Sequence, residues 1–175
     1  MAGGKRTKEY LLLDGYNVIN AWPQLRELCQ LDLEEARSKL IEYMTEYQSY
    51  KAIKIIIVFD AHLVKKSRGK SEVLKGIEVV FTKERETADG FIEKKVQELT
   101  PRNRVVVATN DWLEQQMILG GGATRISVRE LILDFQNIKG KISKKTEEDK
   151  YKKEVLSNRL DSSVVEKLEK FRRKL

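Results

Sequence analysis

Cysteine, histidine and long apolar runs are almost absent from this chain of 175 residues. Cys29 is the only cysteine, which excludes an intramolecular disulfide or a thiolate metal cluster and suits a reducing compartment. The longest apolar runs, such as Ile55 to Phe59, are strand-sized, whereas a membrane-spanning helix needs roughly 18 or more residues. Met1 to Lys8 lacks the apolar core of a signal peptide. We therefore expect a cytoplasmic protein with no membrane role.

Positive charge is concentrated near the carboxyl end of the chain. The net charge is +7, yet residues 1–138 hold 21 Lys+Arg and 20 Asp+Glu, whereas residues 139–175 hold 13 against 7. Such a tail is typical of an arm that contacts a polyanion such as nucleic acid. A solvated, lysine-rich helix is the alternative.

Strand-like and helix-like segments alternate along the chain. Apolar stretches at residues 10–13, 53–59, 77–81 and 104–109 are typical of buried parallel strands, and residues 124–127 indicate a short fifth strand. Apolar residues at helical spacing follow at 33–47, 88–99, 111–119 and 128–135, with Asp32 as the N-cap of the first helix. This alternation predicts an α/β fold whose central parallel sheet is flanked by helices. We expect a domain at residues 9–137 and a basic helical extension at residues 138–175.

One basic segment interrupts the alternation. Residues 65–75, KKSRGKSEVLK, combine cations with a glycine, which predicts an exposed loop beside the strand end that carries Asp60. Contacts to phosphates are expected from these cations and from two near Asp89: Lys65, Lys66, Arg68, Lys70, Lys83 and Arg85. An ordinary solvated loop is the alternative.

Four aspartates follow four separate predicted strands. Asp14, Asp60 and Asp111 stand at strand ends, and Asp89 falls in the first turn of the helix after the third strand. In an open parallel sheet such positions converge on one crevice, where carboxylates repel one another unless a cation neutralises them. We therefore expect a Mg²⁺ or Mn²⁺ site, with Asn17 placing an amide oxygen near Asp14. Helix capping is the alternative for Asp89 and Asp111.

Four motifs in a fixed order make the chain recognisable. LLLDGYNVINAWPQL, VFDAH, FTKERETAD and ATND together resemble the YacP-like branch of the NYN nucleases, which are relatives of the PIN-domain ribonucleases. The resemblance covers roughly residues 9 to 137 and extends to GGGATRISVREL. It implies a PIN-like fold with a metal-dependent phosphodiesterase centre, in which Asp14, Asn17 and Asp89 form the core. Asp60 and Asp111 would adjoin that core as further catalytic residues.

The resemblance also implies a function. Within its branch the chain is most similar to ribosome-associated endoribonucleases that cut mRNA, so RNA and the ribosome are the expected partners and no role on DNA is expected. The metal ligands would be Asp14, Asp89 and Asp111. Metal-assisted hydrolysis needs no Ser, Cys or His nucleophile, and the sequence has no G-x-S-x-G elbow.

Other functions and roles fit the residues less well. A non-catalytic RNA- or ribosome-binding module would gain little from carboxylates beside a polyanion. A phosphatase would need a D-x-D pattern, but Tyr16 stands two residues after Asp14, and a receiver domain would need paired acids there. His62 is a candidate general base, with a structural role as the alternative. Tyr16 and Trp22 are candidates for stacking on RNA bases, with core packing as the alternative for Trp22.

Overall fold

The chain divides into two compact units, Met1–Phe135 and Gln136–Leu175. The structure is a computed structural model that describes residues 7–60, 68–110 and 120–159. The first unit contains a sheet with helices, and the described part of the second unit is helical. The predicted helix at 111–119 lies outside the described residues.

Six strands of the described residues form one sheet in the first unit. In chain order they are β1 (Glu9–Asp14), β2 (Lys54–Phe59), β3 (Arg68–Leu74), β4 (Ile77–Lys83), β5 (Arg104–Ala108) and β6 (Thr124–Ile126). Their spatial order is β3-β4-β2-β1-β5-β6. β3 is antiparallel to β4, and the other neighbouring pairs are parallel. The predicted parallel α/β sheet is therefore confirmed.

The helices of the described residues are α1 (Gly15–Ala21), α2 (Pro23–Leu31), α3 (Leu33–Lys51), α4 (Ala88–Leu99) and α5 (Val128–Arg159). Asp32 caps α3 as predicted, because its Oδ1 accepts hydrogen bonds from the backbone N–H groups of Glu34 and Glu35 at 2.8 and 3.1 Å. A capping box begins α5: the Ser127 hydroxyl accepts from the Glu130 N–H, and the Glu130 carboxylate accepts from the Ser127 N–H.

Helices cover both faces of the sheet. Ile92 and Val96 of α4 share a buried core with alternate residues of the strands: Leu12, Ile56, Val58, Val80, Val105 and Val107. Because side chains alternate along a strand, the intervening residues point to the opposite face. There Phe59 and Phe81 lie beside Arg37 of α3. β1 and β2 are thus buried on both faces, which explains their continuous apolar sequences.

The basic segment after Asp60 is partly a strand, which corrects the prediction of a loop. Residues 65–67 lie outside the described residues, but Arg68–Leu74 forms β3, which pairs antiparallel with β4. Leu74 lies opposite Ile77, so Lys75 and Gly76 form a two-residue hairpin turn, with φ of 51° and 84°. The glycine before an apolar run was the sequence signal for this hairpin.

Three helices differ from the prediction. α1 and α2 occupy residues that were not predicted to be helical, and Pro23 stands in the first turn of α2, where its missing N–H costs no hydrogen bond. α5 was predicted to end at residue 135 but continues to Arg159, since no proline interrupts it. The predicted boundary at 137/138 therefore falls inside a helix, and the domain limits stay a prediction. No helix within the described ranges is long and apolar enough to span a membrane.

The hairpin turn generates a stability prediction. Gly76→Ala places a side chain at φ +84°, where left-handed backbone costs an L-residue about 1–2 kcal/mol. We expect the free energy of unfolding to fall by that amount in urea denaturation. Gly140→Ala is the control, because that glycine lies in α5 with nothing within 4 Å of an added Cβ. An unchanged Gly76→Ala variant would contradict the turn geometry.

Candidate active site

The carboxyl ends of β1, β2 and β4 meet at one edge of the sheet. From β1 the chain moves to β2 and β4 on one side and returns to β5 on the other side of β1, so the strand order reverses next to β1. In open α/β sheets, ligands bind in the crevice at such a reversal. Asp14 ends β1, Asp60 follows β2, and Asp89 lies in the first turn of α4 after β4.

Asp14 is fixed in place by the start of α1. Its Oδ1 accepts a hydrogen bond from the backbone N–H of Asn17 at 3.0 Å, which makes Asp14 the N-cap of the helix. The glycine between strand and helix is required sterically, since a Cβ on Gly15 would lie 2.2 Å from Cε1 of Phe59. The Phe59 ring therefore packs on the backbone beside Asp14, and Phe59 is the residue before Asp60. This contact holds the ends of β1 and β2 close together.

Asp60 is linked to the helix that carries Asp89. Its Oδ2 accepts a hydrogen bond from the backbone N–H of Ala88, the first residue of α4, at 3.3 Å. Thr87 caps the same helix by accepting from the Gly90 N–H at 3.1 Å. Since Thr87 is the N-cap, Asp89 is the second residue of the helix rather than its cap, and it is exposed. The positive end of the helix dipole favours both carboxylates.

The carboxylates interact electrostatically. Burial raises the pKa of Asp14 above its ordinary value of 3.8, and the negative charges of Asp89 and, more weakly, Asp60 raise the pKa further. Hydrogen bonds from the backbone N–H groups of Asn17 and Tyr16 lower the pKa but do not offset these effects. The structure therefore brings Asp60 and Asp89 near enough to Asp14 for each of them to repel its carboxylate. A pKa raised by burial together with specific neighbouring charges is typical of functional sites.

The donor chemistry of this cluster fits a hard divalent cation. Mg²⁺ usually keeps several waters and is held by one or two carboxylates together with substrate phosphate. Among the described residues, no group of three His, Cys, Asp or Glu side chains is arranged to hold an ion by itself. Asp111 and His62 lie outside the described residues. A metal set of Asp14, Asp89 and Asp111, and catalytic roles for Asn17, Asp60 and Asp111, thus stay predictions.

The end of β5 is tied to α5. The N–H of Thr109 donates to the Ile126 carbonyl at 3.1 Å, and Asn110 Oδ1 accepts from the Val128 N–H at 3.1 Å. These bonds hold the segment that leads to Asp111 against β6 and the first turn of α5.

Four of the six predicted RNA-binding cations belong to the β3–β4 hairpin or to the turn before α4. Lys65 and Lys66 lie outside the described residues, as does the Arg68 side chain. The aliphatic stem of Lys83 packs over Gly69, where a Cβ would lie 2.6 Å from Lys83 Cγ. Arg85 is exposed in the turn that leads to Asp89, with φ of 72°. Lys70 pairs with Glu72, so it is not a free cation.

Sequence reasoning missed Arg37, which lies on the face of α3 that packs on the sheet. Its guanidinium carbon lies 5.4 Å from the ring centroid of Tyr16 and 5.7 Å from those of Phe59 and Phe81. The sequence did contain a signal for this residue. Arg37 stands three, four and seven residues before the buried residues Leu40, Ile41 and Met44, so a charged residue lies on the apolar face of α3.

Trp22 does not provide the predicted base-stacking surface. Its side chain is 1% exposed and packs between Tyr43 and Phe135, at centroid distances of 5.1 and 5.3 Å. The alternative of core packing is therefore confirmed.

The raised pKa of Asp14 generates a prediction about stability and pH. The Asp14 carboxyl holds its proton more tightly in the folded chain than in the unfolded chain. Ionisation of Asp14 therefore lowers the free energy of unfolding as the pH rises above 3.8. The full loss of stability is reached once the pH exceeds the pKa of Asp14 in the folded state. Asn caps helices as well as Asp does. We expect the stability of Asp14→Asn relative to the wild type to increase from acid pH to neutral pH.

Urea denaturation at a series of pH values measures this difference. Asp32→Asn is the matched control, because it makes the same substitution at the exposed N-cap of α3. The burial of Asp14 and its repulsion by the neighbouring carboxylates would be contradicted if the stability of Asp14→Asn, relative to the wild type, decreased as the pH rises.

Comparison with known proteins places the chain in a family. A family model described as the YacP-like NYN domain matches residues 11–173. The uncharacterized protein YacP of Bacillus subtilis strain 168 is 45% identical over 166 residues, which cover 94% of this chain and 97% of that protein. The crystal structure of Rae1 (YacP) from Bacillus subtilis matches with a TM-score of 0.71 at 45% identity over 94% of each chain. A tryptophan-to-leucine mutant of Rae1 matches with a TM-score of 0.69 at 44% identity, over 81% of this chain and 82% of that chain. The chain therefore belongs to the YacP-like NYN family, with its PIN-like α/β fold, and this membership supports a nuclease-type function directed at RNA.

Proposed function

We propose that this protein is a Mg²⁺- or Mn²⁺-dependent endoribonuclease that hydrolyses phosphodiester bonds of mRNA in association with the ribosome, in the cytoplasm. The observation that carries the proposal is the convergence of Asp14, Asp60 and Asp89 at the point where the strand order reverses. Repulsion among these carboxylates disfavours the fold unless a cation neutralises them. A cation bound by these carboxylates could also coordinate an oxygen of a phosphodiester.

In this mechanism the backbone of the chain orients two of the carboxylates. The backbone N–H groups of Tyr16 and Asn17 orient the Asp14 carboxylate, and the Ala88 N–H orients that of Asp60. Asp89 is exposed, so it faces solvent and any incoming substrate. A bound Mg²⁺ or Mn²⁺ would lower the pKa of a water and polarise the scissile phosphate. Asp14, Asp89 and Asp111 are the residues we expect to hold it.

Two basic regions support an RNA substrate. The first comprises Lys83 and Arg85, which are exposed on the connection to Asp89. The second is the part of α5 at residues 139–153, which is exposed all round and contains seven lysines against three acidic residues. A helix that is polar on every side gains little from packing, so contact with a polyanion is a reasonable function for it. We assign it to RNA, including that of the ribosome.

The carboxylates generate a cleavage prediction. Asp14→Asn and Asp89→Asn each remove one negative oxygen donor, and we expect each to lower the cleavage rate by more than about a hundredfold, since even the outer partners of metal ligands contribute roughly 10–100-fold. EDTA should abolish wild-type cleavage, and Mg²⁺ or Mn²⁺ should restore it. Cleavage of an mRNA is measured with and without translating ribosomes.

Glu98→Gln is the matched control, because it removes a carboxylate from the other end of α4, where Glu98 pairs with Lys95 at 3.3 Å. It should cleave like the wild type. The proposal is wrong if Asp14→Asn and Asp89→Asn both fold and still cleave RNA as fast as the wild type. Cosedimentation with ribosomes without cleavage of any RNA would favour a non-catalytic binding module instead.

A further inference from the structure

Arg37 is held in a cage of three aromatic rings beside the carboxylates. Tyr16 follows Asp14 by two residues, Phe59 directly precedes Asp60, and Phe81 lies in the strand that leads to Asp89. Each ring centroid lies within 5.7 Å of the guanidinium carbon. Since the Arg37 side chain is only 11% exposed, this cation is fixed at the same edge of the sheet as the acidic cluster.

The hydrogen bonds of Arg37 leave donors available for a ligand. Nε donates to the Tyr16 hydroxyl at 3.0 Å, and Nη2 donates to the same oxygen. Among the residues that the structure describes, Nη1 approaches only the carboxylate of Glu34, at 3.6 Å, which exceeds hydrogen-bond length, and the Glu34 side chain is 88% exposed. A guanidinium has five N–H donors, so within the described part of the chain its outer edge remains free to bind a planar pair of oxygens.

Tyr16 has a proton to donate. Its oxygen accepts two hydrogen bonds from Arg37, which occupy both lone pairs, so its O–H must point to another acceptor. The part of the chain that the structure describes shows no such acceptor. A negatively charged oxygen is the acceptor that suits this O–H.

We propose that Arg37 and Tyr16 together bind a backbone phosphate of the RNA next to Asp14, Asp60 and Asp89. Arg37 supplies the charge, and Tyr16 supplies a second hydrogen bond. The pair offsets the repulsion that an RNA phosphate meets at three carboxylates, and its rigid cage lowers the entropy lost when the phosphate binds. The proposal rests on the nuclease function and adds two positioning residues to it.

Binding of a short single-stranded oligouridylate to the Asp89→Asn protein tests the pair without turnover. In this parent, Arg37→Gln should weaken binding by about tenfold or more, as loss of a charged hydrogen bond does. It should also reduce the slope of log affinity against log salt by about 0.7, the contribution of one single-strand phosphate. Tyr16→Phe should weaken binding but leave the slope unchanged. Arg37→Lys should keep the slope with reduced affinity.

Lys39→Gln is the matched control, because Lys39 lies on α3 about 200° around the helix from Arg37 and pairs with Glu42. It should bind like the parent. The proposal is overturned if folded Arg37→Gln keeps the affinity and slope of the parent, if Lys39→Gln has an equal effect, or if the parent shows no saturable binding. Should the wild type fail to cleave RNA while Arg37→Gln still loses binding, the nuclease function fails and the phosphate site stands.

Discussion

The parallel pairing of β1 on both of its edges is the constraint on which the site depends. Leu13 lies opposite Ile57 of β2 and opposite Ala108 of β5. A shift of one residue would break the register with both neighbours and move the side chain of Asp14 to the other face of the sheet. Asp14 is therefore fixed at the point where the strand order reverses. The other carboxylates come to it because β2 and β4 follow in parallel register on one side.

The negative charge of Asp14 lowers the stability of the fold, and helix capping does not require that charge. The Asp14 carboxylate caps α1, but an uncharged Asn or Ser would cap the helix as well. The charge instead brings burial and repulsion, both of which raise its pKa. A charge at Asp14 that helix capping does not need, placed where Asp60 and Asp89 repel it, is best explained by a ligand of opposite charge.

The sequence predicted the parts of this arrangement that depend on periodicity. The buried strands, the helix capped by Asp32 and the placement of Asp89 in the first turn of α4 follow from local patterns. The β3–β4 hairpin was missed because the cations of the segment hid its turn at Lys75 and Gly76. Arg37 was missed for a different reason: its partners Tyr16, Phe59 and Phe81 come from three distant parts of the chain. Only tertiary packing shows that they surround one cation.

Positive charge in this protein serves in two physically different settings. Exposed lysines, such as those of residues 139–153, keep their water and their freedom, so their attraction for RNA is long-ranged but screened beyond about 8 Å at physiological salt. Arg37 has lost both water and rotamer freedom to its aromatic cage, so salt screens it less. The lysines are suited to attracting RNA but do not hold any one phosphate in a fixed position. The caged arginine is suited to fixing one phosphate, and only a fixed phosphate can be aligned with Asp14, Asp60 and Asp89.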